Sequence, residues 1–69
     1  LRATLTSPLG ANGPREHYMR AQLTAGGIGA FDRQDSSLLT VLAEANALIV
    51  RPVDDPARAV GDEVSYLSI

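Results

Sequence analysis

The sequence predicts a mainly β fold, a small partly open β-barrel of about five strands with one short α-helix. Three observations carry that prediction. Apolar and polar residues alternate with period two through residues 1–6, 15–24 and 63–69, the spacing of strands with one covered face. Only one stretch, residues 35–45, carries apolar residues at helical spacing. Strands and helices do not alternate repeatedly, which argues against a parallel sheet.

The elements follow in order. Residues 1–6 read as a half-buried strand, and residues 7–14 (SPLGANGP) as a loop dense in Gly, Pro and Asn. In residues 15–24, His17, Met19, Ala21 and Leu23 share one face, and Tyr18, Arg20, Gln22 and Thr24 the other. Ala25, Gly26 and Gly27 signal a tight turn. Ile28, Gly29, Ala30 and Phe31 return as a short strand, so residues 15–31 form a hairpin. Asp35 and Ser36 are good helix N-caps, because their side-chain oxygens accept from free first-turn amides. Leu38, Leu39, Val41, Leu42 and Ala45 then make one apolar stripe, and Asn46 suits a left-handed C-cap. Ala47, Leu48, Ile49 and Val50 suit a strand buried on both faces, closed by Arg51 and Pro52 because proline cannot continue a central ladder. Residues 53–59 read as a polar loop, and Val60, Gly61 and Asp62 as a turn into a last strand over 63–69. In that strand either Val64 and Tyr66 or Leu67 and Ile69 could face inward. Full closure of the sheet is the usual way for so small a β unit to remove its edges.

Composition bounds the function. The 69 residues make one small domain, and a chain starting at Leu1 is expected to be a piece of a larger protein. There is no cysteine, which excludes disulfide frameworks and thiolate zinc sites and is compatible with a reducing compartment. No apolar run approaches the roughly 20 residues that span a bilayer. Net charge is −2, lysine is absent, and Arg2, Arg15, Arg20, Arg33, Arg51 and Arg58 are dispersed. Such a chain has no field to attract nucleic acid or membranes, and one Phe and two Tyr make no base-stacking platform.

Most candidate chemistry has a plainer explanation. His17 is the only histidine, with no cysteine to join it, so a half-buried strand residue with a hydrogen-bond partner is the better reading than a metal ligand. Ser36 or Ser37 with His17 and an aspartate lacks a nucleophile elbow. The acidic pairs Asp54 with Asp55 and Asp62 with Glu63 sit in turn-like composition, where aspartate bonds nearby backbone. Gly26, Gly27 and Gly29 lack the strand–loop–helix order of a phosphate loop. One pairing stands out. Arg20 has a planar fork suited to oxyanions, and Ser36, joined by Ser37, opens a helix, where amides and the dipole favour negative charge. From the residues alone, a solvated Arg20 and a simple Ser36 cap remain the preferred alternative, and Asp35 in the same turn repels anions.

The order and spacing of several short motifs resemble a family. Tyr18-Met19-Arg20-Ala21-Gln22-Leu23, a glycine hairpin, Gln34-Asp35-Ser36, an apolar helix, Ala45-Asn46-Ala47-Leu48-Ile49-Val50 and Val60-Gly61-Asp62-Glu63-Val64 are similar to the C-terminal domain (domain IV) of molybdopterin molybdotransferases. These are the MoeA enzymes, related to the E-domain of gephyrin, and the similarity spans nearly residues 1–69. The resemblance implies a small C-terminal β-barrel of a multidomain, cytoplasmic homodimer. That parent inserts molybdate into adenylylated molybdopterin with magnesium, giving molybdenum cofactor and AMP, and its main catalytic machinery lies in other domains. By resemblance, Arg20 matches the arginine of an aromatic–x–Arg pattern and Ser36 the serine of a Gln-Gly-Ser pattern, both directed at the oxyanion site. Asp35 stands where that pattern has glycine. The resemblance also implies that this domain alone does not turn over substrate. The alternative from another class is a structural barrel, or one that accepts a peptide strand at a sheet edge.

Overall fold

The computed structural model describes residues 1–31 and 45–69. Five strands carry the regular structure there: β1 (Arg2–Thr4), β2 (His17–Thr24), β3 (Gly27–Ala30), β4 (Ala47–Arg51) and β5 (Glu63–Ser68). They form one sheet in the order β1-β5-β4-β2-β3, each named pair antiparallel. The expected helix over residues 35–45 falls almost wholly outside the described residues, as do Ser36 and Ser37.

The sheet curls until its two ends meet. Leu5, just past β1, forms a parallel bridge with Ile28 of β3, and the Thr6 amide donates to the Ile28 carbonyl at 2.9 Å. The expected partly open barrel is therefore nearly closed. Closure brings two backbones to close range, and glycine makes that possible. Gly27 has φ +133°, and a Cβ there would collide with the Thr4 carbonyl oxygen and lie 2.9 Å from Thr6 Cγ2. A Cβ on Gly29 would lie 2.8 Å from Thr6 Oγ1.

Inside, Leu5, Leu9, Ala21, Ile28, Ala47, Ile49 and Val64 are buried, flanked by Ala3, Met19, Leu23, Ala30 and Tyr66. The fully buried Leu5, Ile28 and Ile49 each contribute about 1.5–3 kcal/mol of apolar burial. The alternation expected of β2 holds: Met19, Ala21 and Leu23 turn inward, while Tyr18, Gln22 and Thr24 are exposed. In β4, Ala47 and Ile49 are buried but Leu48 and Val50 only half-buried, so burial on both faces is incomplete. In β5 the ambiguity resolves to Val64 and Tyr66 inward, with Leu67 49% exposed. Pairing decides it: Ile49 sits opposite Tyr66 in the inward row, and Leu48 opposite Leu67 in the outward one.

Two sequence expectations change. Asn46 is not a left-handed cap, since Asp54 is the one non-glycine with positive φ among the described residues. Its side chain instead accepts from the Leu23 amide at 2.7 Å and donates to the Leu23 carbonyl at 3.1 Å, extending the β2–β4 ladder by one rung. His17 is exposed at the start of β2 rather than half-buried. Among the described residues no helix is long and apolar enough to cross a membrane.

The seam gives a direct test. Gly27→Ala combines a collision with a left-side φ, and should lower unfolding stability by about 2–4 kcal/mol in urea denaturation. Gly10→Ala, whose Cβ would meet nothing within 4 Å, should change it by less than about 0.5 kcal/mol.

Candidate functional site

The outer face of the sheet carries the sequence-predicted arginine. Side chains alternate across a strand, so Arg20 shares the outer face of β2 with Tyr18 and Gln22. It pairs with Leu48 of β4, which in turn pairs with Leu67 of β5. Arg20 is half-buried. Two residues away, the Tyr18 hydroxyl donates to Glu16 Oε1 at 2.7 Å. That bond, reinforced by the carboxylate charge, raises the Tyr18 pKa above its ordinary value.

Ser36 and Ser37 lie outside the described residues. The residues flanking that segment are placed. The Phe31 amide donates to the Arg20 carbonyl at 3.1 Å, and the Asn46 amide to the Ala21 carbonyl at 3.2 Å. Phe31 and Asn46 are thus both bonded to the β2 backbone at Arg20 and Ala21.

A second constellation was not legible as a unit in the sequence. Arg51, at the end of β4, continues the inward row of Ala47 and Ile49 and is buried. Its Nε donates to Asp55 Oδ2 at 2.8 Å, with both side chains almost fully covered. Its Nη2 donates to the carbonyls of Gly10 at 2.8 Å and Pro56 at 3.1 Å. Arg58 completes the trio, its Nη2 meeting Asp55 Oδ1 at 2.6 Å. Asn12 ties the same loops together, its Nδ2 donating to the carbonyls of Arg15 at 2.8 Å and Pro52 at 2.7 Å. The hydrogen bond from Arg58 holds the Asp55 carboxyl below its ordinary pKa, Arg51 assists, and burial opposes both. The expectation that Asp55 bonds nearby turn backbone is corrected: its carboxylate is a buried ionic hub whose partners are the Arg51 and Arg58 side chains. The signal available was the inward parity of Arg51 with an aspartate four residues on. Asp62 keeps the plain turn role, accepting from the Ala59 amide at 2.8 Å.

Magnesium needs hard oxygen ligands in near-octahedral array. Among the described residues no three His, Asp or Glu side chains come together to hold a metal ion. Asp55 and Glu63 are instead engaged by arginines. The described residues therefore offer no such cluster for a magnesium ion.

The comparisons with known proteins agree with this architecture. The family described as the MoeA C-terminal region (domain IV) matches residues 2–69. No curated protein matches the sequence. A solved structure, a molybdenum cofactor biosynthesis protein from Pyrococcus furiosus, superposes with a TM-score of 0.82 at 23% identity. The match covers 100% of this chain and 25% of that one, so this chain spans about a quarter of that relative's length.

The ionic hub makes stability depend on pH. Asp55 takes up its proton near 3.8 when unfolded and only at lower pH when folded. Its contribution is therefore complete well above that value and is lost as pH falls through the folded pKa. Asp55→Asn leaves Arg51 buried without its counter-charge and should cost about 3–5 kcal/mol at pH 7. In denaturation curves taken from pH 7 downward, the gap to the parent sequence should narrow below about pH 4.

Proposed function

The chain belongs to the family of MoeA C-terminal regions, and from that membership we propose that it acts as the C-terminal domain of a molybdopterin molybdotransferase. In this reading the parent enzyme is a cytoplasmic homodimer that inserts molybdate into adenylylated molybdopterin and releases AMP. Magnesium and the main catalytic groups belong to its other domains. The present domain adds Arg20 to the molybdate site, with Ser36 and Ser37 as further oxyanion contacts, and is inactive alone.

The family match over residues 2–69 carries this reading. Support for Arg20 comes from its outer-face place and from the backbone bonds of Phe31 and Asn46 to Arg20 and Ala21. A guanidinium there offers a planar donor pair to an oxyanion, at about twice the strength of a neutral hydrogen bond. The absence of cysteine suits a reducing cytoplasm. A barrel joined between Leu5 and Ile28 leaves little free edge for an added peptide strand, which favours the enzyme reading over the peptide-binding one.

In the full-length parent, Arg20→Ala should raise the molybdate concentration for half-maximal rate by about tenfold or more, as loss of a charge-assisted hydrogen bond implies. Arg20→Lys should recover part of it, because charge remains without the fork. Unchanged molybdate dependence in Arg20→Ala, in a protein of normal stability, rejects the role.

A further inference from the structure

A second group of arginines lies apart from Arg20, where the loop after β4 meets residues of β1 and β5. Arg2, Ser65 and Val50 form one outward rung across β1, β5 and β4. Together with Arg58 they line a cavity of about 130 Å³. That volume is well below the roughly 300 Å³ at which pockets for drug-sized ligands begin.

Both guanidiniums are held before any ligand arrives. Arg2 Nε meets Glu63 Oε1 at 2.8 Å, and its Nη1 donates to Ser65 Oγ at 3.2 Å. Arg58 is fixed through its backbone, which exchanges two 2.9 Å hydrogen bonds with Leu9. Its side chain is fixed by Asp55, through Nη2 at 2.6 Å and Nε at 3.3 Å. Asp55 has both oxygens engaged by arginines, so little of its charge is left to oppose an incoming anion. Arg2 Nη2 and Arg58 Nη1 take no part in these bonds, and the Ser65 hydroxyl, accepting from Arg2, still has its own proton to give. Two guanidiniums and a hydroxyl side chain therefore line one space of a size fit for one small oxyanion.

We propose that this cavity binds a single tetrahedral oxyanion of the phosphate class, gripped between Arg2 and Arg58 with Ser65 as a third donor. Glu63 is the competing group: it orients Arg2 in the empty pocket and opposes an incoming anion. Binding is consequently weak and salt-sensitive.

The test is a titration of the 69-residue chain with inorganic phosphate, read by NMR on the arginine Nε–H groups and the Ser65 amide, against chloride at matched ionic strength. Saturable shifts at Arg2, Arg58 and Ser65 with phosphate, and none with chloride, are expected. Arg2→Gln should weaken phosphate binding by about tenfold, the scale of one charge-assisted hydrogen bond. Glu63→Gln should tighten it several-fold, a gain that misfolding cannot mimic. Acetate should bind more weakly than phosphate, and binding as tight or tighter overturns the tetrahedral assignment. Arg20→Gln should leave the titration unchanged, which separates this site from the molybdate role proposed above. Linear shifts equal to those in chloride, unaltered affinity in Arg2→Gln, or no gain in Glu63→Gln overturns the proposal.

Discussion

Thr6 donates its amide to the Ile28 carbonyl, and through that bond the first and third strands of the sheet meet. A five-stranded sheet in a chain of this length has few side chains with which to cover an inner face. Rolling the sheet up lets Leu5, Ile28 and Ile49 cover one another. Closure also removes two edges that would otherwise present unpaired amides and carbonyls. Its geometric condition is bare backbone at Gly27 and Gly29, where a methyl group would collide with the residues running out of β1. The outer face that carries Arg20 inherits its curvature from this seam.

Loops hold the second level of order. Between β4 and β5 the chain turns through an ionic trio rather than through apolar packing. Arg51 reaches in from the last rung of β4, Asp55 meets it from the loop, and Arg58 closes over the pair. A buried ion pair is no assurance of net stability, because desolvation offsets much of its attraction. Its value here is geometric. It fixes where residues 52–58 lie against Gly10 and Leu9, and so fixes the place of Arg58 in the cavity it lines with Arg2 and Ser65.

Much of this was legible in the sequence where a local rule settled the matter. The period-two pattern of β2 placed Met19, Ala21 and Leu23 inside and Arg20 outside, because parity alone decides the face of a strand. The glycine hairpin and the five-strand count follow from equally local signals. The face of β5 did not, since Val64, Tyr66, Leu67 and Ile69 offer apolar groups at both parities and only pairing with Ile49 selects one. Asn46 looked like a helix cap because its amide suits that role locally, whereas its partner, Leu23, is distant in sequence. Arg51 resembled a strand end beside a proline, and its carboxylate partner became visible only when the loop folded back. For the candidate site, Arg20 was legible by parity, while its relation to Ser36 and Ser37 depends on residues outside those described.

The pairing of β1 with β5 has a further consequence for how the chain comes into being. Arg2 lies opposite Ser65, and Thr4 opposite Glu63, so the first of these five strands has the last as its antiparallel neighbour. The β2–β3 hairpin can form from local sequence as soon as it emerges, but β1 must wait for residues 63–65. Long-range pairing of this kind carries a loop-closure cost before any contact repays it, and slows folding. During translation β1 is therefore an unpaired, alternating strand until β5 emerges. The exposed arginine at position 2 then serves as a charged gatekeeper against pairing with another nascent chain.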